Sequence, residues 1–217
     1  MLIPLIAFAI AVQKDSDAWN LNVVLDPKVK LSWGVTVDAQ AEGQEHHATF
    51  QFSRQQKSSD DKKTVVTFVW DHMTVDEQEG QEIPAWDAVT GPRGEILKLD
   101  DGSDDSYRRM LSPIVFVYPE KPVSPGDKWS YVSKPDGAGV KINYDFEATK
   151  TELVDGVQTI ILAMKYKEDG ADGATGEGNW WLSRVGRVVK FEVKVKNWVV
   201  PIAGPGSVDA TLKGKAL

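Results

Sequence analysis

The chain is dominated by segments in which hydrophobic and polar residues alternate. A period of two is typical of a β-strand that buries one face and exposes the other. The clearest case has Val189, Phe191, Val193 and Val195 on one face and charged residues on the other. Residues 30–38, 49–53 and 141–148 show the same alternation. The pattern therefore predicts a largely β protein.

Two further runs, residues 65–70 and 160–164, are apolar on both faces. They predict central strands that are covered on both sides. Polar and glycine-containing clusters at residues 58–61, 155–156 and 168–178 separate the strands and predict turns. Short strands divided by such turns are typical of a sandwich, a barrel or a curled sheet.

One segment, residues 103–111, departs from the alternation. Ser103 offers an N-capping hydroxyl, acidic residues follow it, and Arg108 and Arg109 come near the end. This order of charges suits the dipole of a helix. Pro113 is expected to end the helix, because proline cannot continue the hydrogen-bond ladder. We therefore predict one short helix here.

The two halves of the chain resemble each other in the order and spacing of their strands. A separation of 94 residues recurs for three aromatic pairs: Phe50 with Tyr144, Phe52 with Phe146, and Trp86 with Trp180. Equal offsets favour an internal duplication with copies at residues 31–99 and 129–196. The alternative is that any two antiparallel meanders look alike.

The predicted fold class is mostly β, with duplicated antiparallel curved-sheet or half-barrel units and one short helix between them. The predicted boundaries are a first β unit at residues 13–99, a short helix and proline-rich segment at 100–128, and a second β unit at 129–217. Four prolines make residues 112–128, here named the strap, stiff and extended. The two units are compatible with one domain.

The first twelve residues are apolar and uncharged, and the chain becomes polar at Gln13. The run is too short to span a bilayer as a helix. Ala9 and Ala11 fit the small-residue pattern that precedes a signal cleavage site. We interpret residues 1–12 as a signal peptide without a basic n-region; a buried first strand or core helix is the alternative. An exported protein, periplasmic or extracellular and without a transmembrane segment, is therefore expected.

The composition narrows the classes of partner. Hydrophobic residues make up 41% of the 217 residues and charged residues 26%, which suffices for a packed core. The net charge of −7 argues against a nucleic-acid partner, because phosphate binding needs a concentrated basic face. The sequence has no cysteine, which excludes disulfides, thiol catalysis and cysteine-ligated zinc and argues against a lipid-modified cysteine.

Acidic residues and histidines are the candidates for a metal site. Asp100, Asp101, Asp104 and Asp105 form a dense acidic loop of the kind that calcium prefers. Their spacing does not match the helix-loop-helix calcium pattern, so acids at a solvated helix start are the favoured interpretation. The histidines, at positions 46, 47 and 72, are expected to be solvent-exposed. No metal and no cofactor is predicted.

Eight tryptophans are a high count for this length. Trp86, Trp180 and Trp181 fall at the edges of predicted loops and strands, and adjacent strand residues face opposite sides. An exposed tryptophan is a stacking surface for sugars or an anchor for a partner, so these three are the candidate ligand-binding residues. The favoured alternative is that they cover the open end of a barrel.

Two motifs carry a resemblance to known proteins. Residues 119–129 read P-x-x-P-V-x-x-G-D-x-W in outline, and residues 176–180 read G-x-G-x-W. Through these two motifs, the C-terminal half of the chain resembles uncharacterised exported bacterial β-rich proteins, to which no activity is assigned. The strand pattern is also similar to the curved half-barrel of periplasmic lipoprotein carriers. The resemblance implies an exported β protein with structural rather than catalytic motifs.

No catalytic motif stands out: the sequence has no G-x-S-x-G elbow, no H-E-x-x-H and no phosphate-binding glycine loop. We therefore predict a protein that is not an enzyme and that binds an apolar small ligand or lipid, or another cell-envelope component, on the concave face of its sheet. One alternative is a surface module that recognises glycan or protein through exposed tryptophans. The other is an enzyme with an unrecognised carboxylate site.

Overall fold

The computed structural model describes residues 18–22, 26–60, 63–80, 83–99, 105–134, 139–200 and 207–217. The predicted signal peptide, residues 1–12, lies outside this part of the chain. The described elements are twelve strands and one helix: β1 (Leu31–Ala41), β2 (Gln44–Ser59), β3 (Thr64–Val75), β4 (Gln78–Glu79), β5 (Ile83–Thr90), β6 (Ile96–Leu99), α1 (Asp105–Leu111), β7 (Lys128–Ser133), β8 (Ile142–Val154), β9 (Val157–Glu168), β10 (Thr175–Ser183), β11 (Val188–Val199) and β12 (Ser207–Ala216).

All twelve strands belong to one antiparallel sheet, which curves into a nearly closed, barrel-like form. The strand order is β6-β5-β3-β2-β1-β12-β11-β10-β9-β8-β7, and β4 pairs with β3. The predicted fold class is therefore confirmed, as a single curled sheet rather than two facing sheets. The last strand, β12, lies between β1 and β11 and joins the two predicted β units into one sheet.

The strand register follows the offset of 94 residues seen in the sequence. Phe68 lies opposite Trp86 in the first unit, and Leu162 lies opposite Trp180 in the second. Each residue of the second pair is 94 positions after its counterpart. A duplicated unit predicts this agreement, because register is fixed wherever one face of a sheet is buried.

The concave face of the sheet is filled by α1 and by the strap. Met110 and Leu111 of the helix are buried, as are Phe116, Val117 and Tyr118 of the strap. Burial of these apolar side chains stabilises the closed form of the sheet. The apolar interior is therefore a packed core.

Hydrogen bonds from aromatic side chains to main-chain carbonyl oxygens fix α1 and the strap against the sheet. Trp129 Nε1 donates to the carbonyl oxygen of Val117 at 3.0 Å, and Trp198 Nε1 donates to that of Met110 at 3.0 Å. The Tyr118 hydroxyl reaches across the interior and donates to the carbonyl oxygen of Gly186 at 2.7 Å. These bonds satisfy buried polar groups that would otherwise be costly.

The G-x-G-x-W motif has a steric reason in strand β10. A Cβ atom on Gly178 would lie 2.6 Å from Val193 Cα, and one on Gly176 would lie 2.8 Å from Cδ1 of the Tyr166 ring. Only glycine permits so close an approach, and glycines in strands commonly mark such tight bends. The motif therefore serves the curvature of the second unit.

The short helix forms where the sequence predicts it, from Asp105 to Leu111, and Pro113 lies two residues after its end. The proposed capping residue, Ser103, lies outside the described residues. The helix inserts its two arginines toward the second unit, where Arg109 pairs with Glu168 and Arg108 donates to the hydroxyl of Ser133 at 3.0 Å. The helix is thus anchored by charge as well as by apolar burial.

Candidate functional site

A row of stacked aromatic rings crosses the inner face of the first unit. Trp33 stacks on Phe52 with ring centroids 6.0 Å apart, and Phe52 stacks on Phe68 at 5.9 Å. Phe68 in turn stacks on Trp86 at 4.9 Å. These residues face the same side because alternate positions of paired strands share a face. The row ends where the first unit meets the strap and the second unit.

A small cavity of about 30 Å³ lies at that meeting point. This volume accommodates about two water molecules or one carboxylate-sized group. The half-buried residues Arg54 and Val115 are part of its wall, together with apolar side chains from both units. The full lining is Trp33, Phe52, Arg54, Val66, Phe68, Thr90, Gly94, Ile114, Val115, Phe116, Trp180, Val188 and Phe191.

Arg54 is the one charged residue in that lining. It follows Phe50 and Phe52 on the inward-facing parity of β2, and its guanidinium carbon lies 5.6 Å from the ring centroid of Trp33. Its Nε atom is buried without a hydrogen-bond partner, and so is Nε1 of Trp180 in the same wall. Among the described residues Arg54 forms no ion pair. Arg54 is thus a cation in a largely apolar wall, without a counter-charge among the described residues.

Sequence reasoning did not identify Arg54. A usable signal was present, because the alternation of β2 continues from Phe50 and Phe52 to an arginine at the next inward-facing position. A charge on the apolar parity of a strand is an exception to the pattern, and such exceptions are concentrated at functional sites.

The three candidate tryptophans occupy two different faces of the sheet. Trp86 and Trp180 are 4% and 2% exposed and stack on Phe68 and Phe191 in the core. They therefore present no stacking surface to solvent, and only Trp180 lines the small cavity. Trp181 is half-buried on the outer face, where Nε1 donates to Glu152 at 2.5 Å. Ligand binding by these residues stays a prediction.

One candidate acidic residue is held within the protein. Asp105 accepts hydrogen bonds from Arg108 Nε at 2.7 Å and from the Val140 backbone nitrogen at 3.0 Å. The other candidates, Asp100, Asp101 and Asp104, lie outside the described residues.

Each of two histidines has its own carboxylate. His46 Nδ1 lies 2.8 Å from Asp76, and His47 Nδ1 lies 2.8 Å from Asp38. The hydrogen bond from the His47 backbone nitrogen and that from His46 lower the pKa of Asp76. Within the described segments, no three histidine or acidic side chains are grouped to hold a metal ion.

A second polar cluster lies inside the second unit. Glu168 is fully buried, and Arg109 Nη2 donates to its Oε2 at 2.6 Å, while the Ala174 nitrogen donates at 3.1 Å. The hydrogen bond to Glu168 raises the pKa of Arg109. Burial raises the pKa values of the nearby Tyr144 and Tyr166 hydroxyls, so both stay protonated. The Glu168 carboxylate thus has its hydrogen-bond partners within the protein, which indicates a structural role.

Among the described residues, no helix combines the length and apolarity needed to cross a bilayer.

Comparison with known proteins finds no matching family model and no matching curated protein. Three solved structures are similar over most of the chain. One is a protein from Bacteroides fragilis NCTC 9343 that is classed as exported and has a YmcC-like fold. Its sequence is 12% identical to this chain, and the match covers 92% of this chain and 99% of that one, with a TM-score of 0.40.

The second, classed as a lipoprotein from Parabacteroides distasonis ATCC 8503, is 14% identical, with 91% and 100% of the two chains covered and a TM-score of 0.40. The third, a DUF1329 family protein from Desulfovibrio piger ATCC 29098, is 11% identical, with 86% and 83% covered and a TM-score of 0.27. All three TM-scores lie below 0.5, so the function of this chain has to be inferred from its own residues.

Proposed function

We propose that this chain is an exported, non-catalytic binding protein for an amphipathic carboxylate, a molecule with one carboxylate head and an apolar tail. The head binds the guanidinium of Arg54, and the tail packs against the apolar wall of the cavity between the two units. The observation that carries the proposal is the partnerless, buried Nε of Arg54 in that wall. Export rests on the apolar residues 1–12.

The electrostatics of Arg54 favour an anionic ligand. A partly buried guanidinium without a counter-ion has lost part of its hydration, and the contact with the Trp33 ring replaces only some of it. A carboxylate restores the lost interactions, because its two oxygens match the planar fork of the guanidinium. The low polarity of the surrounding aromatic rings strengthens that attraction.

The volume of the cavity decides how the ligand sits. About 30 Å³ accommodates the carboxylate head but not an alkyl tail. The tail therefore needs a shift of the strap around Ile114 and Val115, which lie in the wall and belong to no strand. Each methylene that becomes buried adds about 0.8 kcal/mol, close to fourfold in affinity. This gain offsets the displacement of the strap.

The test is a calorimetric titration of the full chain with unbranched carboxylates of increasing length. We expect affinity to rise with chain length, and Arg54→Gln to weaken binding about tenfold or more, since a hydrogen bond to a charged group is lost. Arg54→Lys should restore part of it. The matched control is Arg187→Gln, which removes one positive charge from an exposed turn of the same protein.

Within the described residues Arg54 forms no ion pair and contacts only the face of the Trp33 ring, a contact that contributes about 0.5–1 kcal/mol. Arg54→Gln should therefore shift the urea midpoint of unfolding only slightly, which separates a binding defect from misfolding. Binding that is equally strong in Arg54→Gln, or no binding at any chain length, would contradict the proposal. Fractionation of cells that express the full chain tests export separately.

A further inference from the structure

An open groove of about 670 Å³ lies on the outer face of the second unit, across strands β8 to β11. Four exposed lysines line it: Lys165, Lys167, Lys194 and Lys196. The adjoining groove on the same face adds Lys128 but also Glu147 and Glu192, so the positive charge is concentrated at the end of the face near Lys167 and Lys196. The groove and the Arg54 cavity are built by opposite faces of the sheet.

The strand register explains why these lysines converge. Thr175 of β10 lies opposite Lys167 of β9 and opposite Lys196 of β11. Glu177 lies opposite the other two lysines in the same way. The four Cα atoms therefore form a rectangle of about 10 Å across the strands and about 7 Å along them. Extended lysine side chains reach its centre from every corner.

The charges in the groove are not mutually neutralised. The lining contains two carboxylates, Asp145 and Glu177, against four lysines, so a positive excess of two remains. Elsewhere lysines do pair with acids, as Lys57 does with Asp87 at 2.6 Å and Lys215 with Asp155 at 2.9 Å. Within the described residues, the four groove lysines form no ion pair.

We propose that this groove binds a phosphate-bearing polyanion with two or more negative charges. The pair that flanks Thr175, Lys167 and Lys196, supplies the strongest attraction, because the position between them carries a hydroxyl rather than a carboxylate. The Thr175 hydroxyl is placed to donate a hydrogen bond to a phosphate oxygen. Lysine suits this role as a flexible point charge with three donors. The phosphate can belong to a free molecule or to a lipid head group.

The experiment uses the full chain and two probes at low ionic strength, where exposed charges are least screened. Pyrophosphate, titrated by calorimetry, represents the free polyanion. Vesicles of cardiolipin and phosphatidylcholine, compared with phosphatidylcholine alone in a flotation assay, represent the lipid head group, because each cardiolipin carries two phosphates. Binding of pyrophosphate alone assigns the groove to a free molecule, and binding of the mixed vesicles alone assigns it to a membrane surface.

The double variant Lys167→Gln/Lys196→Gln should weaken whichever probe binds by about tenfold, since two close charges are lost. The control Lys28→Gln/Lys63→Gln makes the same change in net charge at exposed positions of the first unit and should change binding less than twofold. Wild-type protein that binds neither probe overturns the proposal, as does an equal loss in both double variants. Binding that persists in Arg54→Gln shows that the groove acts independently of the cavity.

Discussion

Replacement of Glu168 by glutamine should be among the most destabilising single changes in this protein. Its side chain is fully buried, while that of Arg109 is 22% exposed, and their closest atoms are 2.6 Å apart. The substitution keeps the shape but removes the charge, so a mostly buried guanidinium loses its counter-ion. Removal of one member of a buried pair costs about 3–5 kcal/mol. The residual exposure of Arg109 puts the expected loss near the lower end, about 3 kcal/mol.

The assay is equilibrium unfolding in urea, followed by tryptophan fluorescence. A loss of about 3 kcal/mol should also lower the melting temperature by roughly 6–12 °C in a chain of this size. Glu147→Gln is the matched control, because Glu147 pairs with Lys128 at 3.1 Å and the two side chains are 43% and 70% exposed. An exposed pair contributes under about 1 kcal/mol. The double variant Arg109→Leu/Glu168→Gln should recover part of the loss, since no unpaired charge remains buried.

The reasoning would be refuted if Glu168→Gln lost no more stability than Glu147→Gln. It would also be refuted if the double variant lost the sum of the two single losses, because a paired interaction makes the losses non-additive. Either result would mean that the pair is solvated and that α1 is held by apolar contacts alone.

Two further predictions concern the sheet. Gly178→Ala should lower the free energy of unfolding by more than about 3 kcal/mol, because the new Cβ atom would overlap the backbone of β11. The control is Gly34→Ala, whose Cβ atom would meet only a leucine methyl at 3.4 Å. It should change the free energy of unfolding by under about 1 kcal/mol in the same urea assay. The hydrogen bond from Lys57 lowers the pKa of Asp87 in the folded protein. The ionised Asp87 carboxylate therefore stabilises the fold at a pH above its ordinary pKa of about 4. This stabilisation is lost as the pH falls below the lowered pKa. Asp87→Asn should therefore cost about 1 kcal/mol at pH 7 and nothing near pH 2; a loss that stayed constant with pH would contradict this.

The strands and the helix could be predicted from local sequence because their signals are local. The alternation at 189–195 predicts a strand, and β11 covers it. The charge order at 103–111 and Pro113 predict a helix, and α1 ends at Leu111. Periodicity encodes which face of an element is apolar, and burial of that face is what stabilises the element.

The candidate site was less accessible to sequence reasoning. Trp86 and Trp180 lie at the edges of their apolar runs, yet the curvature of the sheet turns both into the core. Arg54 became a candidate only when the strap and the second unit were seen to close an apolar wall around it. Exposure of a large side chain depends on what packs against it from distant parts of the chain.

The sequence by itself determined the class of structure: alternation and turn clusters specify a mostly β chain, and the charge order at 103–111 specifies one short helix. Only the tertiary structure decided that β12 joins the units, that α1 and the strap fill the concave face, and that four lysines from β9 and β11 converge on one groove. The physical reason is the range of the interactions. Strand formation follows from the polarity of neighbouring residues, whereas sheet closure and convergent charges arise from contacts between residues far apart in sequence.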